Sequence, residues 1–307
     1  MNSKLTLGTV QFGLDYGVAN KSGKIDFLDA KKIIDFAKKN GISTLDTASA
    51  YGKSEKLLGE IGIRDFEIIT KLPKIPNEIK SVDEWFEENF YKSLERLKIN
   101  SLSTLMVHNV SDIVHEHGSA LIKLLEKAKE DLLINKVGIS IYSPYDLDSI
   151  LNIYNFDVIQ APLNPLDTRL IESGWMDRLP QKNIDIHIRS IFLQGLLLMP
   201  YKDIPSKFNN FKHKLKEWHQ WNDQNKIKPL ETCIRFANSF DNVSKIIFGV
   251  DSLSQLSEIY KLSKVNNKIF VVAADISPSG KMAEFQAQKK NFINVGVSEQ
   301  VMIGICA

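Results

Sequence analysis

The chain has 307 residues, 43% of them hydrophobic, and its 39 lysines and arginines nearly balance its 37 aspartates and glutamates. That is enough apolar material for a large buried core, and the near-neutral balance makes no demand for nucleic acid or a membrane surface as partner. Cys233 and Cys306 stand far apart in apolar runs with no CxxC pair, which excludes zinc-ribbon and thioredoxin-like readings and leaves two buried, reduced thiols as the expectation.

The opening residues lack a long apolar stretch of signal-peptide type, and no run of about 18 apolar residues occurs, so a soluble cytoplasmic protein is expected. Short apolar runs then alternate with longer helical patterns. Strands are expected at 5–9, 42–46, 66–70, 104–107, 137–140, 158–160, 184–188 and 245–248. Each is rich in Ile, Val or Leu and apolar on both faces, as a strand is when helices cover one side and a barrel core fills the other. A helix is expected at 28–39, with Ile33, Ile34, Phe36 and Ala37 on one side and lysines on the other; Asp29 in its first turn and Gly41 past its end fit helix termini. The next, 82–97, carries Trp85, Phe86, Phe90, Leu94 and Leu97 at helical spacing, which reads as core. Later helices are expected at 119–134, 145–153, 167–179, 229–239 and 252–263. Eight strand-then-helix units imply a parallel sheet with right-handed crossovers, and that many units in about 260 residues point to a closed (β/α)8 TIM barrel of the α/β class. Residues 196–228 form an insertion before the helix that follows the seventh strand. Two readings stay open for it: a loop shaping a pocket at the barrel mouth, or an amphipathic helix packed on the barrel.

Barrel enzymes carry their chemistry at the C-terminal ends of strands. Asp46 ends the second expected strand, Tyr51 lies in the loop after it, Lys71 ends the third and His108 ends the fourth. Alone, each has an ordinary explanation: a cap, a solvated amine, a packed ring. Neighbouring strands lie about 4.8 Å apart, so together they can converge. A phenol titrates at about 10, too high for an efficient proton donor at neutral pH. A nearby ammonium favours the phenolate, so Lys71, held charged by Asp46, can make Tyr51 a usable general acid. His108 can orient a carbonyl or assist the proton transfer. No side chain donates hydride, so that chemistry requires a nicotinamide cofactor.

The stretch from Gly41 through Asp46, Thr47, Ala48, Tyr51 and Gly52, followed by Ser54-Glu55 and Leu58-Gly59, resembles the signature region of the aldo-keto reductases. The opening Leu7-Gly8-Thr9-Val10-Gln11-Phe12-Gly13 is similar to the first strand of those barrels. The resemblance spans residues 5 to about 264. It implies NAD(P)H-dependent reduction of an aldehyde or ketone, sugar-type carbonyls included, with Asp46, Tyr51, Lys71 and His108 as the catalytic residues. It also implies that Ser140 and Gln160 face the nicotinamide amide. Ile141 stands where the family usually has Asn. Arg189 takes the place of the residue that stacks on nicotinamide, and Ser190, Gln194 and Gly195 belong to the diphosphate loop. Gly249, Val250, Asp251, Ser252 and Gln255 resemble the segment that grips the adenosine end. NADPH is the family habit. Asp251, where many NADPH-selective members are basic, would repel a 2′-phosphate and could accept from a ribose hydroxyl, which keeps NADH open; alternatively Asp251 caps the last helix.

No GxGxxG follows the first strand, and His115-Glu116-His117 has the spacing of neither a zinc finger nor HExxH, so no metal is expected. Residues 1–265 thus read as the barrel. Residues 266–307 change character: an apolar run at 268–274 and the segment ending Val297-Ser298-Glu299 resemble the start of a transketolase-like pyrimidine-binding domain, with Glu299 at the thiamine-diphosphate position. So short a fragment cannot bury enough surface to be a domain. Two other functions stay open, a cofactor-binding barrel that senses redox state without catalysis and a thiamine-diphosphate enzyme fragment. The oligomeric state and the natural substrate are not encoded in any motif.

Overall fold

The structure, a computed structural model, describes residues 3–265, 271–273 and 292–294. Eight strands follow in chain order: β1 (Leu5–Gly8), β2 (Thr44–Asp46), β3 (Glu67–Lys71), β4 (Leu102–Val107), β5 (Ile134–Ser140), β6 (Val158–Pro162), β7 (Asp185–Arg189) and β8 (Val243–Phe248). Each pairs in parallel with the next, and β8 returns to β1 through Leu5↔Ile246 and Leu7↔Phe248, closing the barrel. Helices make the crossovers that parallel strands require: α1 (Val10–Gly13), α2 (Phe27–Lys39), α3 (Ser54–Ile61), α4 (Val82–Leu97), α5 (Ser111–Val114), α6 (Gly118–Glu130), α7 (Leu147–Ile153), α8 (Arg169–Glu172), α9 (Trp175–Gln181), α10 (Lys212–Gln224), α11 (Pro229–Asn238) and α12 (Leu253–Ser263). The chain is the closed eight-stranded (β/α)8 barrel that the strand pattern implies.

Local chemistry explains where helices start and stop. Asp26 caps α2 by accepting from the Asp29 amide, and Ser81 caps α4 by accepting from Glu84. The helix expected at 119–134 stops at Glu130 because Leu132 adopts a left-handed φ of 59°, which turns the chain into β5. The helix expected at 167–179 is two pieces, α8 and α9, divided at Gly174 with φ 74°. Helix α3 has no counterpart among the expected helices: its buried residues are Ser54, Glu55, Leu58 and Gly59, largely polar or small, so no apolar stripe marks it. A Cβ at Gly59 would lie 2.0 Å from the Arg96 carbonyl oxygen, so the missing side chain lets α3 lie against α4. Glu55 is the tie between the layers, accepting from Thr70 on β3 (2.6 Å) and from Arg96 Nε on α4 (2.7 Å).

Alternation along the strands separates two cores. Leu5, Leu7, Leu45, Ile68, Ile186 and Ile188 belong to the large cluster shared with the helices. Inside the barrel, Ile69, Met106 and Val158 form a small cluster of their own, and Gly138 leaves the room that Met106 and Val158 fill. At the end where the strands begin, Lys245 donates to Thr44 (2.6 Å) and pairs with Glu67 (2.7 Å).

His187, on β7 between the outward Ile186 and Ile188, is buried, and its Nδ1 has no hydrogen-bond partner. Burial, aided by the charges of Lys245, Lys136 and Lys71, pushes its pKa down to about 3. Unfolding returns the ring to its ordinary value near 6.5, so below that pH the unfolded chain takes up a proton that the folded one refuses. The contribution is therefore intact above about pH 6.5 and is lost as the pH falls toward 3. By pH 4.5 the loss amounts to about 2–3 kcal/mol. Urea unfolding at pH 7 and pH 4.5 should show His187→Gln losing less stability on acidification than the wild type, and equal losses would refute this.

A separate two-stranded parallel sheet pairs β9 (Val271–Ala273) with β10 (Phe292–Asn294). The rest of 266–307, including 275–280, Glu299 and Cys306, lies outside the described residues. No described helix is long and apolar enough to cross a membrane. Cys233 is a free, buried thiol whose pKa burial pushes up.

Candidate active site

The loop carrying Tyr51 is set by backbone and hydroxyl contacts beneath it. Ser54 Oγ donates to the Thr9 carbonyl (2.9 Å) and lies 3.1 Å from Thr47 Oγ1. The Tyr51 amide donates to Ala48 O, and Tyr51 O accepts from the Ser54 amide, both at 3.0 Å. Gly13 underlies this turn; a Cβ there would stand 1.8 Å from the Tyr51 carbonyl oxygen. The small and hydroxyl residues of the signature region thus act as scaffold, holding a phenol in place.

The four polar residues at the strand ends do converge. Lys71 Nζ donates to Asp46 Oδ1 (2.5 Å) and to the Thr47 carbonyl (2.9 Å), with Lys71 only 1% exposed. Lys71 Nζ lies 5.3 Å from the centre of the Tyr51 ring. The Tyr51 and His108 rings meet edge to face with centres 6.1 Å apart. Burial is the largest influence on Lys71 and opposes its charge, but Asp46, by charge and hydrogen bond, and Tyr51 outweigh it and hold its pKa above the ordinary value. Burial pushes His108 the other way, to about 3, with Lys71 and Arg189 adding to the effect. At neutral pH the imidazole is therefore uncharged, a hydrogen-bonding group and not an acid.

A cavity of about 760 Å³ opens over this set. Asp46, Tyr51, His108, Ser140, Gln160, Arg189, Ser190, Gln194, Gly195, Gly249, Asp251 and Gln255 line it. Three expected site residues do not. Lys71 lies beneath the floor, behind Asp46; Val250 is buried in the outer core; Ser252 caps α12, accepting from the Gln255 amide (3.3 Å). Ser252, and not Asp251, is that helix cap. The Asp251 amide donates to Gln255 Oε1 (2.7 Å), while Asp251 Oδ1 is buried without a partner. Burial raises the Asp251 pKa against the pull of Gln255 and Gln11. Arg189 donates to the Ile141 carbonyl (3.1 Å) and Ser190 Oγ (3.2 Å), and its guanidinium lies 4.6 Å over the Tyr142 ring.

Sequence reasoning did not find Gln11, Tyr16, Tyr142, Lys228 or Glu258, which also line the cavity. The first three follow strand ends, and that position was the available signal. Lys228 closes the 196–228 insertion after β7 and Glu258 sits on α12; neither carries a motif. Both readings of the 196–228 insertion hold in part. Met199, Pro200 and Asp203 line the cavity, whereas α10 packs on the barrel through Leu215 and Trp218, with Trp218 Nε1 donating to Leu197 O (2.9 Å).

The loop after β7 is strained. Ser190, Leu193 and Gln194 hold left-handed φ values of 58°, 49° and 55°, at roughly 1 kcal/mol or more each. The strain lets Gln194 turn its carbonyl to the amides of Val18 (2.9 Å) and Ala19 (3.4 Å), residues of the loop between α1 and α2. At Gly195, φ 85°, a Cβ would lie 2.6 Å from the Ala19 Cβ. His115 and His117 flank a smaller groove with Lys74 and Asp112. Among the described residues no group of three or more His, Cys, Asp or Glu is arranged to hold a metal ion.

The parallel barrel, with its ionisable groups gathered at the C-terminal strand ends, defines a (β/α)8 protein whose site lies on the usual reacting face. The Aldo/keto reductase family model matches residues 4–273, and the chain belongs to that family of oxidoreductases. Solved structures share the fold. The holo form of aldo-keto reductase AKR11C1 from Bacillus halodurans superposes with a TM-score of 0.71 at 20% identity, covering 98% of this chain and 95% of that one. The glycerol dehydrogenase AKR11B4 from Gluconobacter oxydans gives 0.65 at 20% identity, covering 87% and 88%. No curated protein sequence matches the chain.

Proposed function

We propose that the protein is an NAD(P)H-dependent carbonyl reductase, acting in the cytoplasm on a small-molecule aldehyde or ketone, sugar-type carbonyls included, and reversible as an alcohol dehydrogenase. The observation that carries this reading is the buried Lys71–Asp46 pair beside the Tyr51 ring at the cavity floor. A charged ammonium there stabilises the anion left when Tyr51 gives its proton to the carbonyl oxygen. Neutral His108 donates a hydrogen bond that orients that oxygen.

The residues present fit a dinucleotide. Gln160 Oε1, Gln11 Oε1 and Asp251 Oδ1 belong to cavity-lining residues and are buried without partners, and buried polar atoms normally find one. When bound, a reduced nicotinamide supplies the hydride that no side chain can. Ser140 and Gln160 would hold its amide, Arg189 would lie at the place of the residue that stacks on its ring, Ser190, Gln194 and Gly195 would hold its diphosphate, and Gly249, Asp251 and Gln255 its adenosine. The desolvated Asp251 carboxyl suits a ribose hydroxyl better than a 2′-phosphate. NADH should therefore bind at least as tightly as NADPH in a fluorescence titration with both cofactors. A strong NADPH preference would overturn this role for Asp251, and failure to bind either would overturn the reductase reading.

For residues 266–307 we propose only a likeness to a transketolase-like pyrimidine-binding segment, and the Aldo/keto reductase match itself runs on to residue 273. The support is the sequence resemblance at 268–274 and 292–299.

A further inference from the structure

Arg189, the last residue of β7, carries its charge past the neighbouring β6 to the end of β5. Its Nη2 donates to the Ile141 carbonyl (3.1 Å), its Nη1 to Ser190 Oγ (3.2 Å), and its guanidinium lies 4.6 Å over the Tyr142 ring. A carbonyl, a hydroxyl and an aromatic face fix the cation in place without neutralising it. Among the described residues no carboxylate bonds to it. A guanidinium keeps its proton in a protein, so the charge is permanent. Lys71 differs, because Asp46 matches its charge at 2.5 Å. With His108 uncharged at neutral pH, the reacting end of the cavity holds one unmatched positive charge, that of Arg189. Its field reaches both Lys71 and His108 and opposes the protonated form of each. The other carboxylates on the cavity wall, Asp203, Asp251 and Glu258, come from the insertion after β7 and from the chain after β8.

We propose that Arg189 makes the site select the redox state of its cofactor, binding the neutral dihydronicotinamide of NAD(P)H in preference to the cationic ring of NAD(P)+. The proposal rests on the carbonyl-reductase reading. In that reading the hydride passes to a carbonyl whose oxygen meets Tyr51 and His108, so the ring that delivers it lies in the field of the same guanidinium. Loss of the hydride leaves that ring with a full positive charge, facing another that its contacts hold still and that cannot deprotonate. Two unit charges about 6 Å apart change a binding constant about a hundredfold at an effective dielectric of about 20, and about tenfold at about 40. The selection has a direction. A site of this kind stays loaded with the reduced cofactor while the oxidised form is in excess, and it releases the oxidised form readily once the hydride has gone. Arg189 is thus a specificity-determining residue for which half of the redox couple occupies the cavity.

The test is calorimetric titration of wild type, Arg189→Met and Arg189→Lys with NADH and NAD+, and with NADPH and NADP+, read as the ratio of the two dissociation constants in each pair. The ratio cancels any loss of affinity common to both forms, so damage to packing does not move it. In the wild type the oxidised form should bind about ten- to a hundredfold more weakly than the reduced one. In Arg189→Met the ratio should fall at least about fivefold, and Arg189→Lys, which keeps the charge, should retain most of it. If Arg189→Met does not fold, Arg189→Gln gives the same reading. ADP-ribose, which has the adenosine and the diphosphate but no nicotinamide, is the control. Equal weakening of NADH, NAD+ and ADP-ribose in Arg189→Met, with the ratio unmoved, makes Arg189 a contact for the rest of the dinucleotide and overturns the proposal. A wild type that binds both forms alike overturns it with no variant needed. A wild type that binds neither form of either cofactor sinks the reductase reading and this inference together; one that reduces 4-nitrobenzaldehyde but binds both forms alike sinks this inference alone.

Discussion

Tyr51→Phe should lower kcat for aldehyde reduction by about a thousandfold, the scale of a lost general acid. The substitution removes one hydroxyl and nothing else. The ring keeps its edge contact with His108, and the backbone contacts to Ala48 and Ser54 do not involve the side chain. Cofactor binding and melting temperature should therefore stay near wild type, so that the loss falls on kcat. His108 cannot take over, because its depressed pKa leaves it as the neutral imidazole at neutral pH, whose one N–H can hydrogen-bond but is far too weak an acid to protonate the carbonyl. A Tyr51→Phe enzyme that keeps a tenth of the activity would show that the proton comes from elsewhere.

Lys71→Met should damage stability and activity together. Asp46 is 3% exposed, and the substitution leaves its carboxylate facing Gln160 alone. An uncompensated buried charge of that kind costs about 3–5 kcal/mol. Turnover should fall at least a hundredfold, since the phenol loses the cation beside it. The double variant Asp46→Asn/Lys71→Met separates the two effects: denaturant unfolding should recover most of the stability, and the activity assay should recover nothing. Recovery of activity along with stability would mean that the ion pair is scaffold only.

The barrel was legible because each strand is apolar on both faces, and helices such as α2 and α4 show a one-sided stripe. The cluster at the cavity was legible because Asp46, Lys71 and His108 are polar interruptions where strands end, and the structure brings them together. What escaped notice has physical reasons too. Helix α3 buries Ser54 and Glu55, whose partners lie near β1, on β3 and on α4, so its inward face does not look like a core. The bond from Gln160 to Asp46 joins residues 114 positions apart, and no local pattern encodes it. Lys228, at the end of the insertion after β7, and Glu258, on α12, reach the cavity without any local motif.

The contact between Gln194 and the amides of Val18 and Ala19 joins two loops that both line the cavity. It consists of uncharged peptide groups, so neither salt nor acidity loosens it. Separating the two loops means parting those two backbone hydrogen bonds. Such a local opening costs far less than unfolding and is governed by the contorted 190–195 segment. The two walls of the cavity are therefore tied to each other by main-chain geometry and not by any ionisable side chain at that point.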